Sequence, residues 1–383
     1  MEQRKKKLLI VQEAMGGCGR NVIDIVTGID HDIFDITVLY GDSRIDDYYR
    51  NALPHMRKYA NIIAIPSMER NLSMKKDVKA LLDIYHQIKR IQPDIVHCHS
   101  SKAGILGRFA AALRHVEKIF YTPHAYSFQA WEFSETKKRV FAFLERFFSH
   151  HFTTCTFNVS KGERDIALQY NIDRPDKLKV VYNGIPDVTL PTREEARAQL
   201  ALNLPDNAIV VGTTVRLAEQ KDPKTFVHIA DRVIAKMPKV HFVYVGDGPL
   251  MSDVQQYVEA HGLTDNVHLV GYRDDAEFIV SAFDVYLLTS LYEGLPYSLL
   301  ESLRAGVPLV ATDTTGSNEV IQTGINGYLF PIGDAKDGAD KLIRLIQEAS
   351  RGTKFSYETV RDTYLNQFTV EKMLSSIQES YLE

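Results

Sequence analysis

Only three cysteines occur in the 383 residues, Cys18, Cys98 and Cys155. They form no C-x-x-C pair, and their odd number argues against a disulfide framework. A reducing, cytoplasmic setting is the simplest expectation. No apolar stretch approaches the roughly 20 residues that span a bilayer. The start, MEQRKKKLLIVQEAMGG, is basic, but its apolar run is shorter than the core of a signal peptide and reads as a first buried strand. A large charge of one sign is lacking too. The formal net charge of −4 gives the whole chain no bulk attraction for nucleic acid. No short repeat or low-complexity tract appears. Without a G-x-x-x-x-G-K-[ST] motif, P-loop chemistry is not expected.

What is present is an ordinary globular composition, 45% hydrophobic and 25% charged, on a chain long enough for two domains. Charge is unevenly placed: residues 1–190 carry a balance of +6 and residues 191–383 one of −10. The basic half suits an anionic neighbour, such as a phospholipid surface or a phosphorylated acceptor. Short apolar runs at 8–11, 36–40, 62–65, 95–98, 119–122 and 153–159 read as strands, with helical patterns between them. The pattern pauses around 184–192, where prolines, a glycine and polar residues mark a linker. It restarts with strands at 209–213, 241–245, 267–270, 285–288, 309–311 and 328–330, again with helices between. Alternating strands and helices imply parallel sheets covered on both faces. The reading is α/β: two doubly wound domains facing a central cleft, 1–187 and 188–360, with a helical segment 361–383 returning towards the first domain.

In such sheets ligands bind beyond the carboxyl ends of strands, so the loops there carry the chemistry. EAMGGCGR, 13–20, follows the first strand. Its glycines let backbone N–H groups and a helix start face an anion. Val22 stands where a dinucleotide fingerprint would need its third glycine, and a plain glycine turn is the alternative. VRLAEQKD, 215–222, sets Arg216 and Lys221 on a strand-end loop. A bidentate fork and a point charge there suit a diphosphate, unless the loop is simply solvated. VYLLTSLYEGLPYSLLESLRAG reads as strand, loop and helix. Pro296 suits the first helical turn and Gly306 the position past the end. Glu293 and Glu301 flank the helix start. Carboxylates accept hydrogen bonds from vicinal hydroxyls, and the helix N-terminus between them favours a phosphate.

With these motifs in view, the chain resembles the family 4 glycosyltransferases, of GT-B fold with two Rossmann-like domains. The resemblance runs along nearly the whole length: MGGCGRN at 15–21, VHCHSSKAG at 96–104, YTPHAY at 121–126, VYNGI at 181–185, VRLAEQKD at 215–222, VGDGP at 245–249, VGYRDD at 270–275, EGLPYSLLE at 293–301 and SNEVIQTGINGYLF at 317–330. It is closest in character to bacterial enzymes that build capsule, exopolysaccharide or lipid-linked glycans. The resemblance implies retention of anomeric configuration, no catalytic metal and no cofactor beyond a UDP-sugar co-substrate. It assigns Arg216 and Lys221 to the diphosphate, Glu301 to the ribose, and Glu293 to the donor sugar with Gly294, Leu295, Pro296, Tyr297 and Ser298. Gly271, Tyr272 and Arg273 would lie beside the base, with Gly246 also on the donor side. Gly16 and Gly17 would approach the donor phosphate or sugar, and His124 would position the sugar and stabilise charge. Catalysis is thus placed on His124, Glu293, Arg216 and Lys221. Arg20, His99, Ser101 and Lys102 are acceptor-side candidates. The run Cys18–Gly19–Arg20 departs from the family's usual small or acidic residue followed by a polar one.

The implied partners are a UDP-hexose or UDP-N-acetylhexosamine and a saccharide acceptor, plausible as a polyprenyl-diphosphate-linked one at the inner face of the plasma membrane. Nucleic acid is not among them. Other architectures of function remain open: a non-hydrolysing UDP-sugar 2-epimerase, or a silent nucleotide-sugar-binding protein. His97–Cys98–His99 places two imidazoles on one strand face, yet no further spaced group completes a metal site. Asp30–His31–Asp32 precedes a strand and reads as a surface turn. Trp131, Phe133, Phe141, Phe143, Phe147, Phe148 and Phe152 lie among Lys137, Lys138, Arg139 and Arg146. That composition suits either an interfacial helix on anionic lipid or a half-buried core helix.

Overall fold

A computed structural model describes residues 4–129, 133–352 and 354–383. The chain divides into two compact units. The first is Met1–Gly184 together with Val370–Glu383, and the second is Ile185–Thr369.

The first unit is built on seven strands: β1 (Lys6–Gln12), β2 (Phe34–Tyr40), β3 (Ala60–Ala64), β4 (Ile95–His99), β5 (Lys118–Thr122), β6 (Cys155–Asn158) and β7 (Leu178–Val180). All pair in parallel, in the order β3-β2-β1-β4-β5-β6-β7. A sheet covered on both faces needs apolar side chains on both, which is why β1 reads as the continuous run LLIV. Leu8 and Ile10 enter the core shared with the helices Gly17–Gly28 and Val370–Leu382, while Leu9 and Val11 enter the one beneath Met74–Ile91 and Ser101–Leu113.

The second unit has six parallel strands: β8 (Ile209–Thr213), β9 (Val240–Val245), β10 (Val267–Gly271), β11 (Val285–Leu288), β12 (Leu309–Thr312) and β13 (Gly327–Phe330). Their order is β10-β9-β8-β11-β12-β13. Numbered from each unit's own first strand, both sheets share the order 3-2-1-4-5-6, to which the first adds a seventh edge strand. The order reverses between β1 and β4 and between β8 and β11, which opens a crevice at their carboxyl ends.

The structure differs from the sequence reading in identifiable places. β7 is an additional strand of only three residues, LKV, too short for an alternation to show. The helices Asp47–Met56, which contains Pro54, and Arg193–Leu200, capped by a Thr192–Glu195 box, are also additional. Pro296 is the N-cap of Tyr297–Arg304 rather than a first-turn residue, while Gly306 does lie past its end in the left-handed region, φ 65°. The last segment is two helices, Tyr357–Gln367 and Val370–Leu382. The first of these stays with the second unit: Tyr364 Oη donates to Ile185 O at 3.0 Å and Arg361 makes a bidentate pair with Asp187. The return to the first unit therefore begins at Val370 rather than at 361.

Candidate active site

In the second unit, the loops leaving β8 and β11 meet at the switch point. Lys221 Nζ lies 2.5 Å from Glu293 Oε1, an ion pair with little exposure on either side. Main-chain and side-chain bonds stitch the same loops: Leu291 N donates to Gln220 O, Gln220 Nε2 to Tyr292 O, and Thr289 Oγ1 to Lys221 O. Asp222, in the left-handed region at φ 43°, caps the helix Pro223–Ile234 through Thr225 N and so ends the cationic loop sharply. Arg216 is exposed on this loop, while Glu293 and Glu301 are buried before and within the helix Tyr297–Arg304. Ser298 is buried too, Tyr297 and Gly294–Leu295 lie against the same turn, and Tyr286 Oη accepts from Thr214 N at 2.9 Å beneath it.

Glycines set how close these loops come. A Cβ on Gly246 would sit 2.0 Å from Val215 O, and one on Gly248 2.2 Å from Leu217 O, so VGDGP packs backbone to backbone on the cationic loop. Gly246 N also donates to Gly271 O at 2.8 Å, which ties in the loop after β10. There Tyr272 is half exposed. The Arg273 fork closes on Asp275 at 2.8 and 2.7 Å and reaches Gln199 O in the helix Arg193–Leu200, so its guanidinium ties this loop to that helix.

In the first unit, the loops after β1, β4 and β5 come together. Gly16 adopts φ 63°, ψ −130°, open to glycine, and starts the helix Gly17–Gly28; its N–H is held by Asp46 Oδ2. Arg20 lies buried in that helix, 5.9 Å over the Tyr48 ring. His99 ends β4, fully buried, and its Nδ1 shares a hydrogen bond with His124 Nε2 at 3.0 Å. Burial pushes the His124 imidazole down to about 3 and His99 well below the usual histidine range. Both rings are neutral near pH 7, so His124 offers hydrogen bonding rather than a positive charge. Of the other candidates, Ser101 Oγ pairs with Ser127 Oγ, and Lys102 is clipped to Asp77 and Asn71 O at 2.6 Å each.

The turn carrying His124 is strained. His124 and Ala125 adopt φ 53° and 78°, and Ser100 beside them φ 70°, all unfavourable for residues with a Cβ. Glu163, fully buried, holds this turn: its Oε1 accepts from Ala125 N at 2.6 Å and its Oε2 from Val159 N at 2.7 Å. Sequence reasoning did not find Glu163, although SKGE at 160–163 has the S-x-x-E form of a helix start. Gly316, whose Cβ would lie 2.1 Å from Gly294 O, and Tyr286 were also missed. His97, by contrast, is committed at both nitrogens, to Tyr381 Oη and Thr122 Oγ1. Asp30–His31–Asp32 forms a turn in which Asp32 N donates to Asp30 Oδ1.

This arrangement has relatives. The model for Glycosyltransferase Family 4 matches residues 15–188, and that for glycosyl transferases group 1 matches residues 207–348. The UDP-Gal:alpha-D-GlcNAc-diphosphoundecaprenol alpha-1,3-galactosyltransferase of Escherichia coli is 30% identical over 328 residues, covering 83% of each chain. The chain belongs to the family 4 glycosyltransferases. This transferase is also 26% identical over 327 residues to the putative glycosyltransferase EpsD of Bacillus subtilis, covering 83% of each chain. Among solved structures, HepE of Anabaena in complex with UDP and glucose superposes with a TM-score of 0.82 at 19% identity, over 98% of this chain and 99% of that one. That likeness speaks for the fold, and the fold is GT-B. As a glycosyltransferase, the chain has its family's two Rossmann-like units, each with a reversal of strand order between its first and fourth strands.

Proposed function

We propose that the enzyme is a retaining, metal-independent transferase that moves a hexose or N-acetylhexosamine from a UDP-sugar to a polyprenyl-diphosphate-linked saccharide of surface polysaccharide synthesis. The observation that carries this reading is the pairing of cationic and carboxylate loops at the second unit's switch point, with Lys221 on Glu293 and Arg216 exposed beside them. The donor diphosphate takes Arg216 and Lys221, Glu301 accepts from the ribose hydroxyls, and Glu293 accepts from the sugar once Lys221 turns to phosphate. The bond from the anomeric carbon to the diphosphate oxygen breaks. The acceptor hydroxyl bonds to the same face, and its proton passes to the departing diphosphate. His124 positions the sugar as a neutral hydrogen-bonding ring. The UDP named for HepE's complex and the diphosphoundecaprenol named in the E. coli relative support the donor and acceptor classes.

A lipid-linked acceptor calls for access to a membrane surface. No helix among the described residues is long and apolar enough to cross a membrane. The helix Glu135–Phe152 has two faces: Phe148 is buried, whereas Val140, Phe143 and Phe147 are exposed at helical spacing among Lys137, Arg139 and Arg146. Met74, Val78 and Leu82 form a second exposed stripe beside Lys75 and Lys79. These suit an anionic lipid surface. Trp131 lies outside the described residues.

A panel of UDP-sugars with lipid-linked acceptors, read by mass spectrometry, tests the reaction. Release of UDP with a glycosylated lipid supports it, and interconversion of two UDP-sugars would make the chain an epimerase. Calorimetry should show weaker UDP binding for Arg216→Ala and Glu301→Ala; unchanged affinity in both overturns the donor site.

A further inference from the structure

The loops after β1, β4 and β5 bring together three side chains that the transfer reaction does not need as a set. Cys18, in the first turn of Gly17–Gly28, joins His99 and His124. One ligand atom from each lies within 4.8 Å of the others, and among the described residues no other group of three His, Cys, Asp or Glu does this. Sequence spacing hid the group, because its members are 81 and 25 positions apart and only the sheet order unites them. The neighbouring run His97–Cys98–His99 is not the site. His97 is committed at both nitrogens, and Cys98 faces the helix Ser101–Leu113, where a Cβ on Gly107 would touch its sulfur.

His99 Nδ1 is taken by His124, which leaves its other nitrogen as the one open to a ligand. His99 Nε2 is buried and finds no hydrogen-bond partner among the described residues, an unusual state for a polar atom in a native core. Both imidazoles are held neutral by burial, which is the form that binds a metal. Glu13, paired with Arg44 at 3.5 Å, lies near enough to Cys18 to bear on its ionisation. Burial holds the proton on the Cys18 thiol.

We propose that Cys18, His99 and His124 form a three-ligand site for a divalent cation of the zinc class, and that filling it switches the transferase off. One thiolate and two imidazoles suit zinc, cobalt or nickel in preference to the oxygen-seeking magnesium and calcium. On binding, the S–H bond of Cys18 is replaced by a sulfur–metal bond and one proton goes to solvent, so affinity rises with pH. Three protein ligands leave a tetrahedral ion one position for water. The inhibitory half rests on the role proposed above for His124, whose ring the metal would withdraw from the sugar. The binding half does not rest on that role.

The test uses the full chain, freed of metal by chelation. Titration with cobalt(II) should give a sulfur-to-cobalt charge-transfer absorption in the native protein, and zinc should be retained at one ion per chain after gel filtration. Cys18→Ser should keep basal turnover and its melting temperature, lose the absorption, and hold zinc about tenfold or more weakly; Cys18→Ala serves if the serine variant does not fold. Zinc at one equivalent should stop sugar transfer by the native enzyme, EDTA should restore it, and the variant should be insensitive. Magnesium and calcium should do neither. Absence of retained zinc and of the charge-transfer band, or equal zinc retention in both cysteine variants, overturns the site. Zinc bound through Cys18 with undiminished turnover keeps the site and overturns the switch together with the role of His124.

Discussion

Replacing Glu163 by glutamine should disable transfer without touching UDP. The carboxylate accepts two buried main-chain N–H groups, from Ala125 and Val159. Glutamine can accept one of these through its oxygen but must turn its amide donors towards the other. A hydrogen bond to a charged partner contributes about 1.5–3 kcal/mol. The left-handed conformations of His124 and Ala125 cost about 1–3 kcal/mol each. The tether to Ala125 is therefore comparable in size to the strain it opposes, and without it the turn relaxes and His124 leaves its place. Turnover should fall about tenfold or more, the equivalent of about 1.4 kcal/mol. UDP affinity should be unchanged, because Arg216, Lys221 and Glu301 lie in the other unit and the turn at 124–125 does not carry Gly16 or Gly17. Because relaxation of the turn returns part of its strain, the first unit's melting temperature should fall by less than the roughly 12 °C that the full ~3 kcal/mol would give at about 4 °C per kcal/mol. Ala125→Gly probes the same strain from the other side. Relief of the Ala125 strain at least matches the roughly 0.5–1 kcal/mol entropic cost of glycine. The single change should thus be neutral or stabilising, and combined with Glu163→Gln it should restore part of the lost turnover. Calorimetry with UDP, steady-state transfer assays and thermal melts read all three quantities. Native turnover and melting in the glutamine variant would refute the tether.

Three further outcomes follow from the geometry. Gly246→Ala would drive a methyl into Val215 O and shift the cationic loop, so UDP binding should weaken; a calorimetric affinity equal to the native one contradicts the loop packing. Lys221→Ala leaves Glu293 buried without its cation and should cost about 2–3 kcal/mol, less than the ~3–5 of a fully buried pair because Lys221 keeps partial exposure. Glu293→Gln in the same chain should recover most of that stability in melts, and no recovery would show that the pair is not the cause. His97, His99 and His124 are held neutral by burial, with His124 at about 3, whereas unfolded histidines take a proton near ~6.5. The unfolded chain then binds more protons, so stability is full above about pH 6.5 and declines as pH falls towards 3. His124→Gln should flatten the fall in melting temperature between pH 7.5 and 5; an identical fall would remove His124 from that account.

The fold was legible wherever a strand was long and buried on both faces, as in LLIV of β1 or HFVYV of β9, because continuous apolar runs between helical patterns have one structural solution. It was illegible where burial came from outside the segment. β7 has three residues and is a strand only because β6 offers it an edge. The helix Asp47–Met56 carries too few apolar residues, and an internal proline, to announce itself. For the candidate site, the loops carrying Arg216 and Lys221 and carrying Glu293 stand out in sequence because each joins a strand end to a helix start. Their mutual engagement does not: nothing in the spacing of 221 and 293 says that the two side chains meet. The same holds for Cys18 with His99 and His124, which only the strand order brings together.

The helix Val370–Leu382 completes the first unit's core, with Met373, Leu374, Ile377 and Tyr381 buried and Tyr381 Oη on His97. This has a consequence for biosynthesis. On the ribosome the amino-terminal unit emerges first, yet it lacks one helix until all of Ile185–Thr369 has been made. At ~5–20 residues per second that delay lasts roughly 10–40 s. Throughout it, Gly28 and the surrounding apolar face stand uncovered where Leu374 will later seat. The nascent chain is thus exposed to chaperones and proteases for about half of its synthesis, and the unit made first is the last to be finished.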